Sequence, residues 1–272
     1  MHVERFAPSP TGRLHLGHAF SALTAWDAAQ AASGVFRLRI EDLDQTRARP
    51  EFEAGIVEDL EWLGLNWPRP VLRQSVRAAA YSAALETLTE AGLTYRCGCS
   101  RRDILAASDA PQEGGPDGPV YPGTCRSLVS PPQPPYAIRI NMAKAVARAG
   151  PLDYFEIGAG RVGVDADWLV EKAGDIVLAR KDAAASYHLA VVVDDAHEAV
   201  THVTRGEDLR SATPVHRLLQ ALLGLPSPVY RHHRLIRDET GRRLAKRHDD
   251  LALATLRERG WTVSDVRRAV GL

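Results

Sequence analysis

An α/β fold is predicted by three features of the sequence. A strand, a Pro/Gly turn, a helix and a second strand follow one another within the first 40 residues, and strand-like and helix-like segments go on alternating through most of the 272 residues. The stretch that breaks the alternation, 109–135, reads "DAPQEGGPDGPVYPG" and later "PPQPP", too rich in proline and glycine for regular structure, and is expected to be an irregular insertion. The chain is 45% hydrophobic and 25% charged, enough to bury a core as one large domain or as one domain with an insertion. Formal net charge is zero, so no global field draws nucleic acid, although a local patch still could. No apolar run approaches the roughly 18 residues of a membrane span, and the N-terminus lacks a charged-then-apolar leader, so a soluble, cytoplasmic protein is expected. Three cysteines, two of them one residue apart, do not suggest a disulfide framework.

Taken in order, Val3 to Ala7 reads as a short strand, "GHAFSALTAWDAAQAAS" as a helix ending before Gly34, and "VFRLRI" at 35–40 as the next strand. Helices are expected at about 50–64 and 75–91, the second closed by Gly92. Beyond the insertion, "YAIRI", "YFEI", "DIVLAR", "YHLAVVVDD" and "HVTRGEDL" read mainly as strands, with a helix at about 212–223. No internal repeat is visible.

Chemistry concentrates in three places. In "RFAPSPTGRLHLGH", residues 5–18, Pro8 and Pro10 stiffen a turn in which Gly12 permits a backbone that other residues resist. Ligands of such sheets sit beyond the carboxyl ends of the strands, and the helix that follows aims N–H groups and its positive dipole end there, which suits a phosphate. His15 and His18 share one face of its first turn, and Gly17 leaves a flat surface for a base. On residue types alone, two histidines three apart also fit a plain helix cap. The second place is 231–247, "RHHRLIRDETGRRLAKR", with seven Arg or Lys against two acids, a candidate phosphate-facing surface. The third is "CGC" at 97–99 with "YPGTC" at 121–125: Cys97, Cys99 and Cys125 supply three zinc ligands, the fourth position being open to a water or a distant His, unless the thiols carry no metal.

"RFAPSPTGRLHLGH" followed by "RIEDLDQTR" at 39–47 resembles the glutamyl-tRNA synthetases, class I enzymes whose "HIGH" signature matches His15, Leu16, Gly17 and His18. "GDIVLARKDAAASYHLAVVVDD" (174–195), "THVTRGEDL" (201–209) and "RRLAKR" (242–247) are similar to further blocks of that family in the same order, so the resemblance runs from about Arg5 to Asp250. It implies a Rossmann-like class I aminoacyl-tRNA synthetase catalytic core with a zinc-binding insertion and no anticodon-binding domain. The expected segments are 1–95, the first half of the nucleotide-binding core; 96–173, the insertion; 174–250, the second half, with a loop of the "KMSKS" kind; and 251–272, a short helical end. The resemblance further implies that His15, His18 and Lys246 carry catalysis. ATP would meet His15, Gly17, His18 and the loop Arg243, Leu244, Ala245, Lys246 and Arg247, together with Mg2+. Glutamate would meet Arg5, Phe6, Ala7, Pro8, Ser9, Glu41, Tyr187 and Arg205, with Glu41 on the ammonium group and the arginines and the Tyr187 hydroxyl on carboxylates. The chain departs from "KLSKR" at Arg243 and Ala245, and from "YHLANVVDD" at Val191, where an amide is lost from the pocket edge.

A shortened branch of the family, the glutamyl-Q tRNA(Asp) synthetases, is closer still. Only 25 residues follow Arg247, and the branch has a Cys, Cys, Tyr, Cys metal set matched by Cys97, Cys99, Tyr121 and Cys125, implying one structural zinc ion. This resemblance implies an enzyme that activates L-glutamate with ATP without needing tRNA and transfers it to queuosine in the anticodon of tRNA(Asp). A monomer with no membrane partner is expected. Two other readings stay open: a minimal synthetase charging a tRNA 3′ end, and a catalytically silent RNA-binding module.

Overall fold

Within the first 40 residues of the computed structural model, which describes residues 1–106, 118–236 and 252–272, strand β1 (Val3–Phe6) enters the Pro/Gly turn, helix α1 (Leu16–Ala31) leaves it, and β2 (Val35–Ile40) returns. Gly34 sits at the start of β2 because a Cβ there would run into the His2 carbonyl. Helix α2 (Pro50–Trp62) has proline at its start, where a missing N–H costs nothing, and Glu51 and Glu53 in the first turn complement its dipole. There follow β3 (Leu72–Arg73), α3 (Ala78–Glu90), β4 (Thr94–Cys97) and α4 (Arg101–Ala106). Next come β5 (Ala137–Ile140), α5 (Met142–Ala149), the hairpin β6 (Asp153–Glu156) and β7 (Gly160–Gly163), and α6 (Ala166–Trp168), which runs on as a π turn to Ala173. The described chain closes with β8 (Val177–Ala179), α7 (Tyr187–His197), β9 (His202–Gly206), α8 (Thr213–Leu222), β10 (Val229–His233), α9 (Leu253–Glu258) and α10 (Val263–Val270).

These elements gather into two compact units. The first comprises Met1–Val76, Ala199–Asp208 and Pro228–Leu272, the second Arg77–Glu198 and Leu209–Ser227. The partition follows contact rather than chain order and so does not coincide with the four sequence segments.

In the first unit β1, β2 and β3 are parallel neighbours, with Val3 opposite Val35 and Arg39 opposite Leu72, and β9 and β10 are parallel as well. Thr201, just before β9, fastens this second pair to β1: its N–H donates to the Val3 carbonyl at 3.0 Å and its hydroxyl accepts from Val3 N–H at 2.8 Å. Parallel strands covered on both faces need near-continuous apolar sequence, and all four residues of β1 are buried. One of them is Glu4. Burial pushes its carboxyl above the usual range, and the Arg5 charge and the Thr204 hydroxyl, which donates to Oε1 at 3.2 Å, pull the other way. Ala19, Ala22, Ala25 and Ala29 keep α1 slim, and Arg267 of α10 grips Asp27 of α1 with two bonds of 2.9 and 2.8 Å.

The second unit is antiparallel, β4–β5–β8, with helices α3, α5, α7 and α8 packed by their apolar faces. Asp194, fully buried in α7, accepts from Arg77 Nε at 2.6 Å and from the Tyr81 hydroxyl at 2.7 Å, which ties α3 to α7. The strand expected at "YHLAVVVDD" is therefore corrected to α7. An apolar run does not distinguish a buried strand from a buried helix, and Leu189, Ala190, Val191 and Val192 are all interior, so packing between α3 and α8 overrides the valines' preference for extended backbone. Strand β10 was hidden by its charge, "VYRHH" reading as part of the basic segment. Among the described residues no helix is long and apolar enough to cross a membrane.

Asp59 of α2 is almost wholly buried, and its Oδ1, 3.7 Å from Arg257, has no hydrogen-bond partner among the described residues. Burial pushes its carboxyl from 3.8 up to about 6. Below the lower value the group is protonated folded or unfolded; between the two the unfolded chain gives up the proton first, so stability falls as pH rises and the loss is complete above the upper value. Asp59→Asn is expected to raise stability at pH 7.5 by about 1–3 kcal/mol relative to the native chain and to leave it little changed near pH 3.5, as read by urea unfolding. A pH-independent difference would contradict this origin.

Candidate functional site

The turn between β1 and α1 is held from outside and from within. The Pro8 carbonyl accepts from Glu41 N–H at 3.0 Å and the Pro10 carbonyl from Arg49 N–H at 3.0 Å, so the prolines, which cannot donate, still fasten the turn to the end of β2 and the start of α2. Leu14 accepts from Leu253 N–H at 2.9 Å, and His15 bridges to Ala252. His15 then caps α1: its Nδ1 accepts from Gly17 N–H at 3.1 Å, while His15 N–H donates to His18 Nδ1 at 3.2 Å. The rings lie 3.8 Å apart, tilted by 31°. Because both Nδ1 atoms accept, each neutral imidazole carries its proton on Nε2. Gly17 is needed because a Cβ there would stand 3.0 Å from His15 Cε1. The expectation of backbone N–H groups aimed at a phosphate is thereby corrected: those of His18 and Ala19 turn to the His15 carbonyl and that of Gly17 to the His15 ring. The helix dipole and the imidazoles remain as attractors of an anion.

Ala7, Pro8 and Ser9 directly follow β1, Glu41 directly follows β2, and Arg205 is the penultimate residue of β9, so three parallel strands deliver them at their carboxyl ends. That is where open α/β sheets bind ligands. Arg5 is buried and donates from Nη1 to the Thr204 carbonyl at 3.3 Å. Glu41 accepts from Arg39 Nη2 at 3.2 Å, and Arg205 Nε donates to His232 Nε2 at 3.2 Å, with its guanidinium 5.5 Å from the Tyr230 ring. Phe6 is part of the core beneath the turn. Sequence reasoning missed Arg39 and His232. For Arg39 the available signal was its place two residues before Glu41, on the same strand face. Tyr187, in the second unit, is the first residue of α7, and Val191 lies one helical turn further on.

Arg243, Leu244, Ala245, Lys246 and Arg247 lie outside the described residues. Both flanks of that stretch are anchored: Ile236 is buried in the core that holds Leu14 and Leu16, and Ala252 and Leu253 bond to the His15 turn. Of the basic segment 231–247, Arg234 is committed to structure. It lies over the Phe20 ring at 4.7 Å and donates to the Val270 carbonyl at 2.6 Å, closing the end of α10.

The thiol cluster belongs to the second unit. The sulfurs of Cys97, Cys99 and Cys125 all lie within 4.8 Å of one another, Cys99 and Cys125 being 3.5 Å apart. The Tyr121 hydroxyl is 3.4 Å from Cys97 Sγ and 3.5 Å from Cys99 Sγ, and it accepts from Cys125 N–H at 2.9 Å. Burial pushes the Cys99 thiol up to about 11. Burial acts the same way on Cys125, but hydrogen bonds from the Tyr121 hydroxyl and the Gly98 N–H outweigh it and bring that thiol down to about 7. Tetrahedral zinc, with Zn–S of about 2.3 Å and Zn–O of about 2.0 Å, spaces sulfurs about 3.8 Å apart and sulfur from oxygen about 3.5 Å apart. The four side chains fit such an ion.

Neighbours fix the cluster. Arg139 lies 4.0 Å over the Tyr121 ring and donates to the Asp175 carbonyl at 2.7 Å. The Asp175 carboxylate in turn accepts from Tyr95, from Arg126 Nε and from Met142 N–H at 2.5, 2.7 and 2.8 Å.

Comparison with known proteins agrees with this picture. The family described as tRNA synthetases class I (E and Q), catalytic domain, matches residues 2–270. A Rhodobacter capsulatus protein named glutamyl-Q tRNA(Asp) synthetase is 52% identical over 280 residues, covering 99% of this chain and 100% of its own. A Geobacter sulfurreducens protein of the same name is 41% identical over 94% of this chain and 79% of its own. Among solved structures, a glutamate tRNA ligase from Elizabethkingia meningosepticum in complex with its amino acid aligns with a TM-score of 0.72 at 30% identity, over 92% of this chain and 52% of that one. Methionyl-tRNA synthetase of Mycobacterium tuberculosis bound by methionyl-adenylate, at a TM-score of 0.61 and 11% identity, covers 99% of this chain and 63% of that one and shares the fold.

The thiol geometry gives a direct expectation. The purified chain should take up one equivalent of zinc, and Cys125→Ser should weaken retention against a chelator by at least about 10-fold. Metal analysis showing no uptake, with all three thiols freely titratable, would contradict the site.

Proposed function

The chain belongs to the class I tRNA synthetases of the glutamate and glutamine type, and on that premise we propose that it activates L-glutamate with ATP, without tRNA, and transfers it to queuosine in the anticodon of tRNA(Asp). The observation that carries the reading is the 52% identity, end to end, with a relative named for that activity. In the first step a glutamate carboxylate oxygen bonds to the α-phosphorus of ATP as the bond to the β-phosphate bridging oxygen breaks, so pyrophosphate leaves. In the second a hydroxyl of the acceptor attacks the acyl carbon, loses its proton, and AMP leaves.

No protein nucleophile is required, and the chain contributes position and charge. His15 and His18 donate from Nε2 to the phosphate oxygens where negative charge grows, and Gly17 leaves room for the nucleoside. Lys246, with Arg243, Leu244, Ala245 and Arg247, meets the departing pyrophosphate. What supports that role is that Ala252 and Leu253, further along the chain, bond to the His15 turn. Mg2+, carried in by ATP, supplies further neutralisation of the phosphates. Glu41 takes the substrate ammonium group, Arg5 and Arg205 take carboxylates, and the backbone of Phe6 to Ser9, with the Ser9 side chain, lines the turn beside them, the Phe6 ring staying in the core. Tyr187 is assigned a carboxylate by the same family correspondence. Cys97, Cys99, Tyr121 and Cys125 hold one zinc ion, which organises the insertion and stays outside the chemistry. The working unit is a cytoplasmic monomer.

Glutamate-dependent ATP–pyrophosphate exchange is expected without any RNA, and Lys246→Ala should lower it by about 10²-fold or more, the usual cost of a preorganised charge at a transition state. Absence of exchange with or without tRNA would favour a silent RNA-binding module. The acceptor is found by charging queuosine-containing tRNA(Asp) with labelled glutamate and digesting with a guanosine-specific ribonuclease. Label is expected in the anticodon fragment; label at the 3′-terminal fragment, or equal labelling of tRNA lacking queuosine, would instead mark a minimal glutamyl-tRNA synthetase.

A further inference from the structure

Two buried histidines that take no part in this chemistry lie against Tyr187. His188 and His216 are each 2% exposed, and Nδ1 of His188 stands 3.0 Å from Nε2 of His216. The Tyr187 ring is 5.4 Å from both imidazoles, tilted 59° to His188 and edge-on, at 61°, to His216. The three rings join the first turn of α7 to the middle of α8, inside one unit.

The two helices bury mostly hydrocarbon here, with Leu189, Ala190 and Val192 of α7 and Val215, Leu218 and Leu219 of α8, alongside the polar Thr213 and Gln220 of α8. If the space needed only filling, hydrocarbon side chains would fill it without burying polar nitrogens. What the histidines add is direction. A bond between two imidazole nitrogens requires one donor and one acceptor and fixes the plane of both rings. An edge-to-face partner then restricts the angle of the Tyr187 ring. The same arrangement sits at the N-terminus of α7, where Ser186 in extended conformation makes no side-chain cap bond, so the ring contacts supply order that a cap does not.

We propose that His188 and His216 form a positioning pair that sets the Tyr187 hydroxyl for a carboxylate of the amino-acid substrate. The inference rests on the substrate role given to Tyr187 above. Neither histidine touches the substrate, and their effect is on glutamate affinity through the tyrosine.

The test measures ATP–pyrophosphate exchange for the native chain, Tyr187→Phe, His216→Leu, His216→Gln and the double variant Tyr187→Phe/His216→Leu, with KM for glutamate and for ATP determined separately. His216→Leu is expected to raise the glutamate KM by about 10-fold with the ATP KM changed less than about 2-fold, because a misplaced contact weakens only the ligand it serves. His216→Gln, whose amide can keep the bond, should stay within about 3-fold of the native value, and in the Tyr187→Phe background His216→Leu should add less than about 2-fold. If His216→Leu does not fold, His188→Gln and His188→Leu take the same comparison. A glutamate KM that rises in Tyr187→Phe but not in His216→Leu overturns the pair and leaves the tyrosine's role standing. Additive effects, or equal rises in both KM values, assign the pair to structure and also overturn it. An unchanged glutamate KM in Tyr187→Phe removes the role of the tyrosine itself, and this inference with it.

Discussion

A hydrogen bond from the Gly17 N–H to the His15 ring, 3.1 Å long, governs the first unit. It turns a side chain that would otherwise sample several rotamers into a helix cap, and the reciprocal bond from His15 N–H to His18 Nδ1 does the same for the second ring. Both Nδ1 atoms are thereby spent on structure and both Nε2 protons are placed on the outer edge of the rings. The structure shows the two histidines as helix caps, and the proposed role as phosphate ligands is compatible with that arrangement. The cap is what orients the donors. Gly17 follows from it, since any side chain there would press on the His15 ring. Separate bonds from Glu41, Arg49 and Leu253 to the carbonyls of Pro8, Pro10 and Leu14 hold the rest of the turn against three other segments.

The second unit is organised by different means, because its segments are short and the insertion is poor in apolar residues. Buried carboxylates act as hubs. Asp194 joins α3 to α7 through Arg77 and Tyr81, and Asp175 gathers Tyr95, Arg126 and the start of α5. Each such group would be costly alone and is tolerated because several donors surround it. Beside the thiol cluster, Arg139 bonds the Asp175 carbonyl and lies over the face of Tyr121, so one arginine touches both the hub residue and the candidate metal site.

The β-turn-α-β start was legible because its signals are local: alternating apolar residues, proline and glycine at a turn, and glycine before the next strand. The thiols were legible because Cys97, Cys99 and Cys125 are few and close in sequence, whereas Tyr121 came from the family resemblance alone. Helix α7 was not, since Val191, Val192 and Val193 favour extended backbone and only burial between two helices reverses that preference. Arg39 and His232, which hold Glu41 and Arg205, were missed for a related reason. A charged or imidazole residue in a strand reads as surface until its partner is known; for Arg39 that partner is Glu41, two residues on, and for His232 it is Arg205 of β9. Arg234 erred in the opposite sense, its charge drawing it into a basic patch when it closes α10.

In the proposed reaction the His15 and His18 imidazoles, oriented by their own capping bonds, meet the phosphate of the activated amino acid. A crystal structure of the chain with a non-hydrolysable glutamyl-adenylate analogue measures this most directly. A phosphate-mimicking group is expected within about 3.2 Å of Nε2 of His15 or His18, with both Nδ1 bonds intact. An analogue seated elsewhere, or rings that leave their capping positions to reach it, would rule out this role for the two histidines.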